Sequence, residues 1–349
     1  MLDAGMKDAP MPQADYDVSL ANDPAITRHF RDLHKEVLRE RTGIPPIAPT
    51  VLLAPHVYKE DAALVAANIK NADVYVPELY GWEAQDIDTF QRVSAGQMTP
   101  QEAEPTTIMP FGQGIHGAIY NSHVPVMIVD APVEEQHRFM YKDTDSETFF
   151  QPTWEETVTA VEENMRRFVW RENYMLNHLE PQLQQTMKDN PTLIETAKQR
   201  PLRVLFSIGT DHVSFARRLA AQQQSLNQPG PQIVQADPGL YEQSSFAQAL
   251  AQFEKDGTVP EELAAHVILE KTAARLQTRP PEEMQKILKL LTPAEIKGMF
   301  ERAVKLSHGN TGMTRAFMEN ELFGGEDEAG KQTIGLIDKK LAELQAKTS

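Results

Sequence analysis

Cysteine is absent from all 349 residues. Disulfides, iron–sulfur clusters, thiolate zinc sites and a cysteine nucleophile are thereby excluded. Any metal would have to be held by His, Asp, Glu or water, a donor set that suits hard or borderline divalent ions. Positive charge is also in deficit: 34 basic residues stand against 50 acidic ones, a formal charge of −16. Such a surface repels phosphate backbones and anionic lipid, so neither nucleic acid nor a membrane is an expected partner. No apolar run approaches the roughly 20 residues needed to span a bilayer. The opening MLDAGMKDAPMPQADYD lacks the basic start and apolar stretch of a signal peptide, and the expected placement is cytoplasmic. The chain contains no H-E-x-x-H, no G-x-S-x-G and no G-x-x-x-x-G-K-[ST]. Gly112-Gln-Gly114 is not followed by a phosphate-loop pattern, and no nucleotide cofactor is expected.

What is present points to an α/β protein. Residues 1–22 read as a flexible arm, and Asp23-Pro24 as the start of a helix running to about Arg41. Thr42 to Thr50 is a proline-rich approach to a short strand, Val51-Leu52-Leu53. A helix over 59–71 and a strand over Asp73–Leu79 follow at βαβ spacing, which implies a parallel sheet. A helix near 113–122 precedes a strand from Val124 to Asp130. Thr153-Trp-Glu-Glu156 fits a capping box opening a long helix to about Asn177 or beyond. Leu202–Ile208 reads as a strand running into Gly209-Thr-Asp-His212, with a helix from about Ser214 and a weak strand at Gln232–Gln235. From about 242 the pattern turns helical, with a second capping box at Thr292–Glu295, a charged linker from Gly324 and a last amphipathic helix. The expected architecture is a central, largely parallel sheet built from βαβ units with flanking helices (23–240), followed by a helical C-terminal region (241–349). That tail could pair subunits into a homo-oligomer or pack on its own domain.

In a parallel sheet, ligands bind outside the carboxyl ends of the strands. Four polar residues fall there: His56, Glu78, Asp130 and His212. A strand-end histidine can simply bond a loop, and aspartates such as Asp130 commonly open loops. Glu78, preceded by Pro77, also fits an edge strand facing water. His212 is the sharper candidate, because Gly209 permits a tight turn and the following helix offers free N–H groups.

The long helix carries an anomaly. Its apolar stripe runs Val158, Val161, Met165, Phe168, Met175 and Leu179, the spacing of a core-facing helix. Glu172 falls on that stripe and Arg171 at its edge. Buried charges are costly unless paired and hydrogen-bonded, so both are expected to meet polar groups at the strand ends or to form an ion pair tying helix to sheet.

These features, in this order, resemble the TraB, Tiki, GumN, ChaN and erythromycin-esterase-like superfamily over residues 48–220. Val51 to Glu60 is similar to the superfamily's first strand with its G-x-x-H motif, although Leu53 stands where glycine is usual. Asp73 to Leu79 resembles the strand ending in its glutamate, Gly117 to Asp130 the helix before a P-V strand, Arg171 to Met175 the helix with an arginine–acid pair, and Leu205 to His212 the second G-x-x-H. The resemblance implies a hydrolase-type site of His56, Glu78, Arg171, Glu172 and His212, with an ester, lactone or peptide as substrate. His56 would activate water as general base, or a divalent metal held by His56, Glu78 and His212 would lower the water's pKa. Arg171 would stabilise the oxyanion, and Glu172 would orient Arg171 or a histidine. The alternative on the same fold is a non-catalytic protein that binds a ligand, haem or metal, or acts in signalling; Leu53 favours it.

Overall fold

A computed structural model describes residues 45–54, 59–79, 82–103, 110–135, 150–235, 244–272, 289–326 and 332–348. The arm, the helix expected over 23–41 and His56 lie outside them.

Strand β1 spans Ile47–Leu53, and helix α1 Lys59–Ile69. Strand β2 is Val74–Pro77; α2 (Ala84–Ser94), the short α3 (Pro100–Ala103) and α4 (Pro110–Ser122) follow. The long α5 runs Trp154–Asp189 and α6 Pro191–Gln199. Strand β3 (Leu202–Ile208) leads through a 3-10 turn, Thr210–His212, into α7 (Val213–Ser225), and β4 is Gln232–Gln235. The C-terminal helices are α8 (Ser245–Asp256), α9 (Glu261–Thr272), α10 (Pro293–Ser307) and α11 (Thr311–Phe323). Strands β5 (Gly324–Glu326) and β6 (Gln332–Ile334) precede α12 (Leu336–Thr348).

The main sheet is wholly parallel, in the order β2-β3-β1-β4. This is the expected α/β architecture with a helical C-terminal region. β1 begins earlier than its apolar run suggests and takes in Pro49, a residue that sheet interiors usually exclude. The pairing explains it: β4 joins β1 only from Thr50 onward, so Pro49 needs no N–H on that side. Val124–Asp130 forms no full strand. One parallel bridge, Tyr75 to Val126, holds it beside β2, with Tyr75 N–H donating to the Pro125 carbonyl and Met127 N–H to that of Tyr75. Gly324–Glu326, expected to be linker, pairs antiparallel with Gln332–Ile334.

Strand alternation sorts the side chains onto two faces. Val51, Leu53, Val74, Val76, Val204 and Phe206 pack with α5 and α7, whereas Leu52, Ala54, Tyr75 and Leu205 pack with α1 and α4. A third core joins the start of α5 (Trp154, Val161, Met165) to α8, α9 and α10. Helix α5 therefore serves two cores. Its 36 residues cover about 54 Å at the helical rise of 1.5 Å per residue. Met165 belongs to the C-terminal core and Met175, Leu176 and Leu179 to the sheet. Arg171 and Glu172 sit at the changeover. Residues Ile44–Ser349 form one compact unit.

Candidate active site

The register of β2 and β3 fixes the floor of the site. Pro77 pairs with Ser207, so Glu78 and Gly209 leave the sheet side by side. The Glu78 N–H donates to the Ser207 carbonyl at 2.8 Å, and the Gly209 N–H donates to Glu78 Oε2. A β-carbon at position 209 would stand 3.0 Å from that same oxygen, which is why glycine suits the turn. Alternation puts Glu78 on the face of Val74 and Val76, where α5 crosses.

Arg171 comes down from α5 to meet it. Its Nε donates to Asp130 Oδ1 at 2.9 Å, its Nη2 to Asp130 Oδ2, and Nη2 also lies 2.8 Å from Glu78 Oε1. Asp130 is further held by the N–H groups of Ala131 (2.8 Å) and Leu79 (3.2 Å), and its carbonyl accepts from Trp82 Nε1 at 2.7 Å. The fork on Asp130 is the bidentate arrangement that gives arginine–carboxylate pairs their rigidity. Burial works against the Arg171 charge, but Asp130 and Glu78 outweigh it and hold the guanidinium firmly protonated.

Glu172, next in the chain, turns to His212. Its Oε1 lies 3.0 Å from His212 Nδ1, and its Oε2 accepts from the Ser214 hydroxyl, with Arg218 Nε at 3.6 Å. His212 Nε2 then faces two partners of opposite kind: Arg171 Nη1 at 3.1 Å, a donor, and Glu78 Oε1 at 3.2 Å, an acceptor. A neutral imidazole with its proton on Nδ1 is served by Arg171; an imidazolium is served by both carboxylates. Burial pushes the His212 pKa down. The Glu78 charge and the hydrogen bonds to Glu172 and Glu78 push harder the other way, bringing it up to about 9. That balance favours the imidazolium at neutral pH, with Nε2–H directed at Glu78. Phe168 stacks on its ring, centroids 4.8 Å apart.

Relative exposures of 0% for Glu172, 1% for Asp130 and 2% for His212 mean that these charges are balanced by protein groups around them rather than by solvent. Glu78, with 14% of its side chain exposed, is the network's contact with the outside.

Glu78, Asp130, Arg171, Glu172 and His212 are thus brought together, while His56 lies outside the described residues. Ser214, near the start of α7, donates its hydroxyl to Glu172. Phe168 reads as an ordinary core position of the stripe, and nothing in the sequence marks it as a platform for His212. His116 packs edge-on against Phe90, and His123 Nδ1 bonds the Ser94 carbonyl. Among the described residues, no group of three His, Asp or Glu side chains is disposed to hold a metal ion, and no helix is long and apolar enough to cross a membrane. No protein-family model, curated protein or solved structure matches the chain.

Proposed function

We propose that the chain is a hydrolase of the TraB and erythromycin-esterase-like kind, acting on an ester, lactone or peptide bond without a metal at His212. The observation that carries this reading is the pairing of Glu172 with His212 Nδ1, which fixes the ring and aims Nε2 at Glu78, beyond the carboxyl ends of β2 and β3. A carboxylate behind a histidine is the usual means of setting a catalytic tautomer.

The roles follow from the charges. His212, held protonated, is the general acid: its Nε2–H passes to the leaving oxygen or nitrogen as the acyl bond breaks. The base that takes a proton from the attacking water is His56 by its sequence position, with the Glu78 carboxylate as the other base in reach of Nε2. The proton gained by the base returns to His212 by way of Glu78, whose partly exposed carboxylate lies 3.2 Å from Nε2, closing the cycle. Arg171 has Nε and Nη2 committed to Asp130 and Glu78, so it is better cast as the holder of Glu78 than as an oxyanion donor.

The donor set argues against a metal. Arg171 Nη2 and Nη1 stand within 2.8 Å of Glu78 Oε1 and 3.1 Å of His212 Nε2, the two atoms a divalent ion would use, and a fixed cation there opposes a second one. A small-molecule or peptide substrate and a cytoplasmic setting accompany this reading.

A non-catalytic ligand-binding role is favoured by a different observation: the carboxylates of Asp130 and Glu172 are spent within the network, as in a structural clamp. A panel of chromogenic esters, lactones and peptides, assayed with the wild type and with His212→Gln, separates the two. Turnover that falls by about 100-fold or more in a folded His212→Gln protein supports the hydrolase. Absence of turnover across the panel in the wild type, or turnover indifferent to His212, overturns it.

A further inference from the structure

The helical C-terminal region reaches the site through a closed circuit of contacts. Phe168 stacks on His212 with the ring planes 30° apart, and the edge of Phe246, at the start of α8, meets Phe168 at 4.8 Å and 70°. The Lys271 ammonium, near the end of α9, lies 4.6 Å from the centre of the Phe246 ring and 3.0 Å from Asp211 Oδ2. Asp211 is the residue before His212, so the circuit returns to its start. The two helices that supply Phe246 and Lys271 are locked together by Glu270, whose Oε2 accepts the Ser245 N–H at 2.7 Å.

Each link has a physical purpose for the histidine. The Phe168 face restricts ring tilt and favours a cation above it. Phe246 keeps Phe168 from swinging away. The Lys271–Asp211 pair pins the 3-10 turn that carries His212.

We propose that Lys271 and Phe246 are positioning residues for His212, making α8 and α9 a wall of the site. This deepens the hydrolase reading and rests on it for its catalytic consequence, though not for the structural one. The surrounding charged groups are Glu78 at the end of β2, Arg171 and Glu172 on α5, Asp211 on the turn, Arg218 on α7, and Lys271 on α9.

The test is proton NMR of the His212 Nδ1–H, the proton shared with Glu172, in the full chain. In Lys271→Met it is expected to exchange with solvent at least about tenfold faster than in the wild type, with kcat down about tenfold and KM little changed, because a small misplacement of a reacting group costs rate rather than binding. Lys271→Arg, which keeps both the ion pair and the contact with Phe246, restores both readouts. If Lys271→Met does not fold, Asp211→Asn breaks the same pair from the side of the turn and must give the same exchange phenotype. A folded Lys271→Met or Asp211→Asn protein with unchanged Nδ1–H exchange overturns the proposal, whatever its activity. Faster exchange in a protein whose wild type hydrolyses nothing supports the positioning and removes only the hydrolase reading.

Discussion

Glu172 Oε1 lies 3.0 Å from His212 Nδ1, and neither side chain reaches solvent. The pair joins a helix to a strand end 40 residues away in sequence. It is also the point where the two cores served by α5 meet. Removing the carboxylate charge breaks a buried ion pair, leaving the His212 imidazolium with Glu78 as its remaining anionic partner and taking a charge from beside Arg218.

Glu172→Gln is therefore expected to destabilise the protein by about 3–5 kcal/mol near pH 6, the usual cost of breaking a buried ion pair by removing one partner. Urea unfolding followed by circular dichroism measures it. A loss of well under 1 kcal/mol would mean that water or another group already compensates His212.

The pH dependence has a defined sign. His212 has a folded pKa of about 9 against an ordinary value of 6.5. The stability it contributes is fully present below pH 6.5 and is lost as pH rises through 9. The melting temperature should fall across that window, and fall less steeply in Glu78→Gln, which lacks the charge that does most to raise the pKa. Thermal scans of both proteins at constant ionic strength make the comparison. Parallel curves would contradict the assignment.

Arg171→Lys tests the fork on Asp130. Lysine keeps the charge but cannot donate to both Asp130 oxygens and Glu78 in one plane. The expected result is a stability loss of about 1.5–3 kcal/mol, the value of a hydrogen bond to a charged group. A folded Arg171→Lys protein of wild-type stability would show that charge alone suffices.

Gly114→Ala separates scaffold from site. A β-carbon there would stand 2.4 Å from the Ala62 β-carbon, where α4 and α1 pack. Forcing these helices apart should cost about 1–3 kcal/mol. The Nδ1–H exchange of His212 should remain as in the wild type, because this contact belongs to the opposite face of the sheet.

Much of the site can be read from the sequence because two independent patterns converge on it. Helical periodicity makes Arg171 and Glu172 conspicuous on an apolar stripe, and strand ends single out Glu78, Asp130 and His212. Periodicity does not say which partner each charge takes. Arg171 forks onto Asp130 and Glu172 turns to His212, choices set by the register that places Glu78 beside Gly209. Lys271 and Phe246 escape sequence reasoning because an ion pair spanning 60 residues and an aromatic edge contact leave no periodic signal. Helix α5 continues through Pro181, where a proline would ordinarily end it. The packing of Leu179 and Leu183 against the sheet carries the helix past the missing hydrogen bond.

The most direct test of the account is a nitrogen-15 NMR titration of the His212 ring in the wild type from pH 5 to 11. The account predicts an imidazolium at pH 7, with both nitrogens protonated, and a midpoint near 9. A neutral ring at pH 7, with a midpoint at or below the ordinary 6.5, would contradict the general-acid role and the charge balance on which the site is argued.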